Sequence, residues 1–290
     1  MKEHEKPLSV EKQIDNLKKI GLIIEDEEYA KNLLNKVSYY RFIKGYSKRL
    51  KENGKYRNGI AFSEIERLYN FNTELRYLIF REIEKVEIGL RCALTNFISM
   101  RYGNFGYLKK ENFREEKYFN EFQREIENEI ERNQNNPFVK NFKENYEGRL
   151  LPFYAVAELM SFGCTSKLYK NMLEVDQKEI ADFYNINYLY LQSWFEHLSY
   201  VRNICAHYGR LYDNNMAKKP MLYKKYKKIG ISNAKVFSTI LCLKIFLSEN
   251  DQWKDFVFQL ESLLEQYKIE KEAIGISTEK WKDILLSEKR

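Results

Sequence analysis

The run Arg202-Asn203-Ile204-Cys205-Ala206-His207 holds the side chains of this chain best suited to work on a phosphodiester, and its histidine is one of only three in 290 residues. An imidazole titrates nearer neutrality than other side chains, so it can take or give a proton during a reaction. A guanidinium offers a planar fork of donors that matches phosphate oxygens. An amide at Asn203, one helical turn before His207, can bond the imidazole or a phosphate oxygen. Together these residues point to RNA cleavage, with Arg202, Asn203 and His207 as the catalytic candidates.

Such a site needs an element to carry it, and the pattern predicts a helix over 187–208. Asn187 suits its N-cap, Tyr190, Trp194, Leu198 and Val201 recur at helical spacing, and Gly209 reads as the C′ stop. At about 100° per residue, Asn203 and His207 share one face with Glu196 near the same stripe, while Arg202 lies about 100° round the cylinder. One helix therefore supplies half a site. A second copy across a two-fold axis would bring two Arg and two His around one phosphate, so a homodimer whose interface carries this helix is expected.

The remaining pattern is helical almost throughout. Ser9 reads as an N-cap with Gly21 as the stop, and a second helix is expected over 26–45. After the turn pairs Asn53-Gly54 and Asn58-Gly59, Ser63 opens a long apolar line from Ile65 to Leu94, with a break expected at 70–73. A glutamate-rich amphipathic helix over 115–132 runs into the loop Asn133-Gln134-Asn135-Asn136-Pro137, the best internal boundary. Pro152 fits the first turn of a helix that Gly163 ends, Thr165 or Ser166 caps the next, and Asp176 precedes a short one. Three more helices are expected over 234–248, 251–267 and 278–287, and no segment alternates with period two. The fold class is all-α, a multi-helix bundle with an N-terminal helical region at 1–60, a domain at 61–250 carrying the motif, and C-terminal helices at 251–290, or one continuous domain.

The net charge of +7 is modest, but it is unevenly spread. Residues 36–57 carry eight basic side chains against Glu52 alone, with Tyr39, Tyr40, Tyr46 and Tyr56 interleaved. Residues 202–228 carry eight more against Asp213 alone. Basic groups gain by releasing counterions from phosphates, and tyrosine rings stack on unpaired bases, so Lys36, Tyr39, Tyr40, Arg41, Lys44, Lys48 and Arg49 form one candidate RNA-binding set. Arg210, Lys218, Lys219, Lys224, Lys225, Lys227 and Lys228 form the other. The bland alternative is a pair of solvated charged faces in a chain rich in lysine and tyrosine.

Cys92, Cys164, Cys205 and Cys242 fall singly, without the paired spacing of a zinc site or disulfide framework, so free thiols in a reducing cytosol are expected. No stretch resembles a signal peptide or a membrane span, which predicts a cytoplasmic protein with no membrane partner. No glycine-rich phosphate loop is present. Glu87 and Arg91 stand at i and i+4 and read either as an ordinary ion pair or as a buried pair that orients Arg202; with Glu196 they are the candidates for a supporting role. His197 points away from His207, His4 lies in a tail, and Cys205, Trp194, Trp253 and Trp281 read as packing.

Several segments carry a resemblance: Lys6-Pro7-Leu8-Ser9, Asp26-Glu27-Glu28-Tyr29-Ala30, Tyr39-Tyr40-Arg41-Phe42, the stretch Phe71 to Arg91 with its Leu75-Arg76 and Ile83-Glu84-Lys85-Val86-Glu87, and Met160-Ser161-Phe162-Gly163. Over roughly its first 215 residues the chain resembles the Abi-like proteins of bacterial abortive infection, the AbiD/AbiF type, within the HEPN superfamily of helical nucleic-acid-binding domains. Arg202-Asn203 through Ala206-His207 looks like the HEPN signature. The resemblance implies a HEPN-like bundle and a metal-independent ribonuclease with no cofactor. It also implies a composite dimeric site at which the RNA 2′-hydroxyl attacks the adjacent phosphate, giving a 2′,3′-cyclic phosphate and a 5′-hydroxyl. It further implies a toxin in antiphage defence restrained by a neighbouring noncoding RNA. A non-catalytic RNA-binding module and a helical interaction scaffold are the alternatives.

Overall fold

The computed structural model describes residues 7–249 and 251–287, so His4 and Lys6 lie outside the described residues. Helices dominate, as the all-α expectation requires. By contacts the chain divides into two compact units, one of Met1–Arg76 with Leu260–Ile269 and one of Tyr77–Gln259 with Glu270–Arg290. These units cut across the segments 1–60, 61–250 and 251–290, because single helices contribute residues to both.

In the first unit, α1 (Val10–Lys19) starts where the Ser9 side chain accepts from the Lys12 amide, and it ends before Gly21, whose φ of 91° needs no Cβ. α2 (Glu27–Lys36) is capped by Asp26 and stops at the extended Val37, so the helix expected over 26–45 is interrupted. A short π-helical turn, Tyr40–Lys44, follows. A two-residue hairpin, β1 (Lys51–Glu52) with β2 (Lys55–Tyr56), then closes on Asn53 and Gly54, both at positive φ as a tight hairpin turn demands. α3 (Phe62–Tyr102) runs unbroken for 41 residues, against the break expected at 70–73. Its polar residues there are accommodated: Asn72 is buried, and the Thr73 hydroxyl donates back to the Tyr69 carbonyl at 3.1 Å, which lets the ladder continue. Arg67 on α3 donates to the carbonyl of Tyr267, which holds the 260–269 segment within this unit.

The second unit takes the rest of α3 and the helices that frame the motif. α4 (Glu116–Arg132) lays Phe122 and Ile126 inward, and the loop at 133–136 leads directly into α5 (Pro137–Asn145), capped by Asn136. That loop is a turn inside one unit and not a boundary. α6 (Phe153–Leu159) follows Pro152, and α7 (Phe162–Asn171) begins at Ser161, whose hydroxyl accepts from the Cys164 amide at 3.1 Å. The cap is thus Ser161 and not Thr165 or Ser166, and Gly163 sits inside α7 and does not end α6. α8 (Glu174–Phe183), α9 (Tyr188–Ala206), α10 (Lys224–Lys228), α11 (Phe237–Leu247), α12 (Gln252–Gln266) and α13 (Trp281–Leu286) complete the order, with Leu260 to Gln266 of α12 belonging to the first unit.

α9 is the hub of this unit and packs against α7, α8 and α11. Its Leu191, Trp194, Phe195, Leu198, Val201 and Cys205 are buried, a stripe that fixes the rotation of the helix and so decides which residues face out. Trp194, Trp253 and Trp281 are all buried. Cys164, Cys205 and Cys242 are buried and form no disulfide, whereas Cys92 on α3 is exposed. No helix among the described residues is long and apolar enough to cross a membrane.

Candidate functional site

α9 begins where the Asn187 side chain accepts from the Leu189 amide at 3.0 Å, as its sequence suggested. Its end differs by one residue. Ala206 is the last helical residue and His207 is the C-cap; Tyr208, not Gly209, takes the left-handed conformation, at φ 59°. The Tyr208 amide donates to the Cys205 carbonyl at 3.2 Å and the Gly209 amide to the Ile204 carbonyl at 2.7 Å, the paired bonds of a Schellman cap. Glycine is required at 209 for space: a Cβ there would stand 2.7 Å from Ile204 Cγ2 and 3.0 Å from the Ile204 carbonyl oxygen. The cap stops the chain at His207 and leaves its ring exposed to solvent.

Arg202 is held from beneath. Its guanidinium lies over the Phe80 ring, 5.9 Å from the centroid, and its Nε stands 3.4 Å from Glu87 Oε2, both partners coming from α3. Its Nη1 reaches Asn203 Oδ1 at 3.4 Å. Glu87, nearly buried, is shared, because Arg91 Nη2 donates to its other oxygen at 2.8 Å. The same Arg91 nitrogen donates to the Met160 carbonyl at 3.1 Å, a carbonyl freed because α6 ends at Leu159. Two guanidiniums thus flank one carboxylate and leave a local excess of one positive charge, which suits an anion.

The structure therefore brings Glu87, Arg91, Arg202 and Asn203 together and places His207 one turn beyond Asn203. Within one chain no hydrogen bond or ion pair engages the His207 ring among the described residues. Glu196 stands apart from the guanidinium pair. It forms an ion pair with Lys218 at 2.7 Å, and the Lys218 hydrogen bond holds its carboxyl below the ordinary range. His197 is a core residue, 1 % exposed, whose Nδ1 and Nε2 meet the Lys218 carbonyl at 2.6 Å and Thr239 Oγ1 at 2.8 Å. A carbonyl only accepts, so Nδ1 carries the proton and the Thr239 hydroxyl donates to Nε2. Burial pushes this imidazole down to about 4.

Of the first basic set, Lys36, Tyr40, Arg41, Lys44 and Lys48 are exposed, while Tyr39 and Arg49 are half-buried. Tyr46 and Tyr56 are core residues, the latter bonded to Ser47 at 2.7 Å, so neither is a base platform. Of the second set, Lys218, Lys219, Lys224, Lys225, Lys227 and Lys228 are exposed and Arg210 is half-buried. α10 turns four lysines outward around the buried Tyr226, and none of the four meets a carboxylate within ion-pair distance among the described residues. The segment before α10 is anchored to α9, since Trp194 Nε1 donates to the Met221 carbonyl at 2.7 Å.

Sequence reasoning missed Phe80, the Met160 carbonyl and the left-handed Tyr208. Phe80 and Met160 both lie in segments that carried the family resemblance, which was the available signal.

A profile of the Abi-like protein family matches residues 32–213, which span α3, the Glu87 and Arg91 pair, and the whole of α9 with His207. The chain belongs to the Abi-like protein family. Membership carries a role in abortive infection, a form of defence. The match starts after the early segments at 6–9 and 26–30 and stops before the lysines of α10. Searches of the curated proteins and of the solved structures return no match.

Proposed function

We propose that this Abi-like chain is a metal-independent endoribonuclease of HEPN type that cuts RNA at a site composed of two copies. The observation that carries the reading is the half-buried Arg202, paired with Glu87 at 3.4 Å and bonded to Asn203, with the exposed His207 at the end of the same helix. In a dimer, one His207 takes the proton from the ribose 2′-hydroxyl as its oxygen attacks the adjacent phosphorus. The P–O5′ bond breaks, the other His207 delivers a proton to O5′, and the products are a 2′,3′-cyclic phosphate and a 5′-hydroxyl. The two Arg202 side chains stabilise the added charge on the phosphorane. The strand itself supplies the nucleophile, so this route requires no metal ligand. The exposed lysines of α10 hold the RNA, which serves as the substrate and, in a resting complex, as a restraining noncoding partner. The setting is the cytoplasm, where phage transcripts are made.

The test is cleavage of a labelled RNA in excess EDTA, with product ends identified by mass. Wild-type protein yields cyclic-phosphate ends, and Arg202→Ala and His207→Ala lower the rate by about 10² to 10⁴ with unchanged circular dichroism. RNA bound tightly but left intact would assign the chain to non-catalytic binding. Absence of any RNA binding would leave a protein-interaction scaffold. Mixing the two variants adds a check on the composite site, since their activities fall independently if each chain acts alone.

A further inference from the structure

A cavity of about 510 Å³ opens in the second unit beside the motif, walled by α4, α7 and α9. It lies within the range of about 300–1,000 Å³ typical of ligand sites. Its α9 wall is the stripe Glu196, Ser199, Tyr200 and Asn203, at i, i+3, i+4 and i+7. Eleven residues make just over three full helical turns, so His207 continues that stripe from Glu196, roughly 6 Å along the axis beyond Asn203. Asn203 belongs to both places: it lines the cavity, and its Oδ1 accepts from Arg202.

The walls favour an uncharged, flat, hydrogen-bonding ligand. Three carboxylates, Glu121, Glu125 and Glu196, are balanced by Lys167, Lys170 and Lys218, and two of the pairs are closed, at 3.1 Å for Lys167 with Glu125 and 2.7 Å for Lys218 with Glu196. A cavity without net charge does not select a phosphate. Its aromatic surfaces, Tyr118, Phe122 and Tyr200, suit a ring, and the hydroxyls of Ser166 and Ser199, each under 9 % exposed, suit its polar edge. Gly163 on α7 keeps part of the wall free of a side chain.

We propose that this cavity receives the unpaired nucleobase next to the scissile phosphodiester, so that Asn203 couples base recognition to the placement of Arg202. The inference rests on the ribonuclease reading. An extruded base in the α4, α7 and α9 cavity fixes the ribose beside His207 and makes cleavage selective for unpaired, base-bearing positions.

The experiment uses two oligonucleotides that are DNA except for one ribonucleotide, one carrying a base at the position next to it and one abasic there. Wild-type protein cuts the first about tenfold faster, the ratio expected from one stacked base. Ser166→Phe fills the cavity, and Tyr118→Ala removes an exposed wall residue without touching the core; each brings the ratio near one while cleavage of the abasic strand persists. Equal cutting of both strands by the wild type, or an unchanged ratio in both variants, overturns the proposal. If the wild type cuts neither strand, the ribonuclease reading fails by itself, and the cavity is judged by saturation-transfer NMR with the four nucleoside 5′-monophosphates. Signals in the wild type that vanish in both variants support a base site, and silence in the wild type overturns it.

Discussion

Glu87 is the residue on which the site's geometry turns, because its two oxygens face two different cations, Arg91 and Arg202. Removing one charge from such a cluster leaves the others facing like charge in a partly dry setting. Glu87→Gln is expected to lower folding stability by about 1–3 kcal/mol, measured by urea unfolding, and to slow cleavage without weakening RNA binding, since Arg202 loses its orientation and not its charge. A variant that binds more weakly and cuts at the wild-type rate would contradict this. Sequence spacing placed Glu87 four residues from Arg91 on one helix, but the meeting of that pair with Arg202 spans more than a hundred positions, and nothing local encodes it. The roles of the Phe80 floor and the Met160 carbonyl were not legible for the same reason: both lie in segments that carry the resemblance, but one contributes a ring face and the other a backbone atom, and neither role leaves a mark in a pattern of residue types.

At the scale of the element, α9 was legible because its core stripe and its Asn187 cap are both short-range signals. Its end was read one residue late. Glycine is the common left-handed stop, yet here Tyr208 adopts that conformation, and Gly209 serves the close approach to Ile204. Gly209→Ala is therefore expected to cost about 1–3 kcal/mol through overpacking and to swing His207 out of register, reducing cleavage more than binding. Thermal melts paired with single-turnover rates check both halves. α3 differs in the opposite sense: a helical run of that length suggests a break at 70–73, while a buried Asn72 and a back-bonded Thr73 keep it whole. Propensity weighs each residue alone, whereas a continuous helix needs only that its polar groups find partners.

At the scale of the whole molecule, acid and salt act on different parts. The His197 imidazole stays neutral in the folded chain down to about 4, whereas the unfolded chain takes up that proton near the ordinary value of about 6.5. The unfolded state then binds more protons between those limits, so stability falls as pH drops from about 6.5 to about 4, by about 3 kcal/mol, and this group adds no further loss below that. Urea midpoints at several pH values check it, and His197→Gln flattens the window. Because Nδ1 already carries a proton toward the Lys218 carbonyl, acid adds its proton at Nε2 and removes the bond from the Thr239 hydroxyl, while the Lys218 bond remains. Salt reads the lysines: neutralising Lys224, Lys225, Lys227 and Lys228 lowers the slope of log K against log salt by about 3 for a single strand. Charge clusters of this kind are visible in sequence, while the inward turn of Tyr46, Tyr56 and Tyr226 among them is decided by tertiary packing. The cysteines offer one more consequence. With three thiols enclosed and Cys92 alone open to solvent, the native protein should accept one maleimide dye per chain and four after denaturation, counted by mass spectrometry. The unaltered chain thereby carries its own fluorescent handle, and energy transfer between donor-labelled and acceptor-labelled copies would time subunit exchange directly.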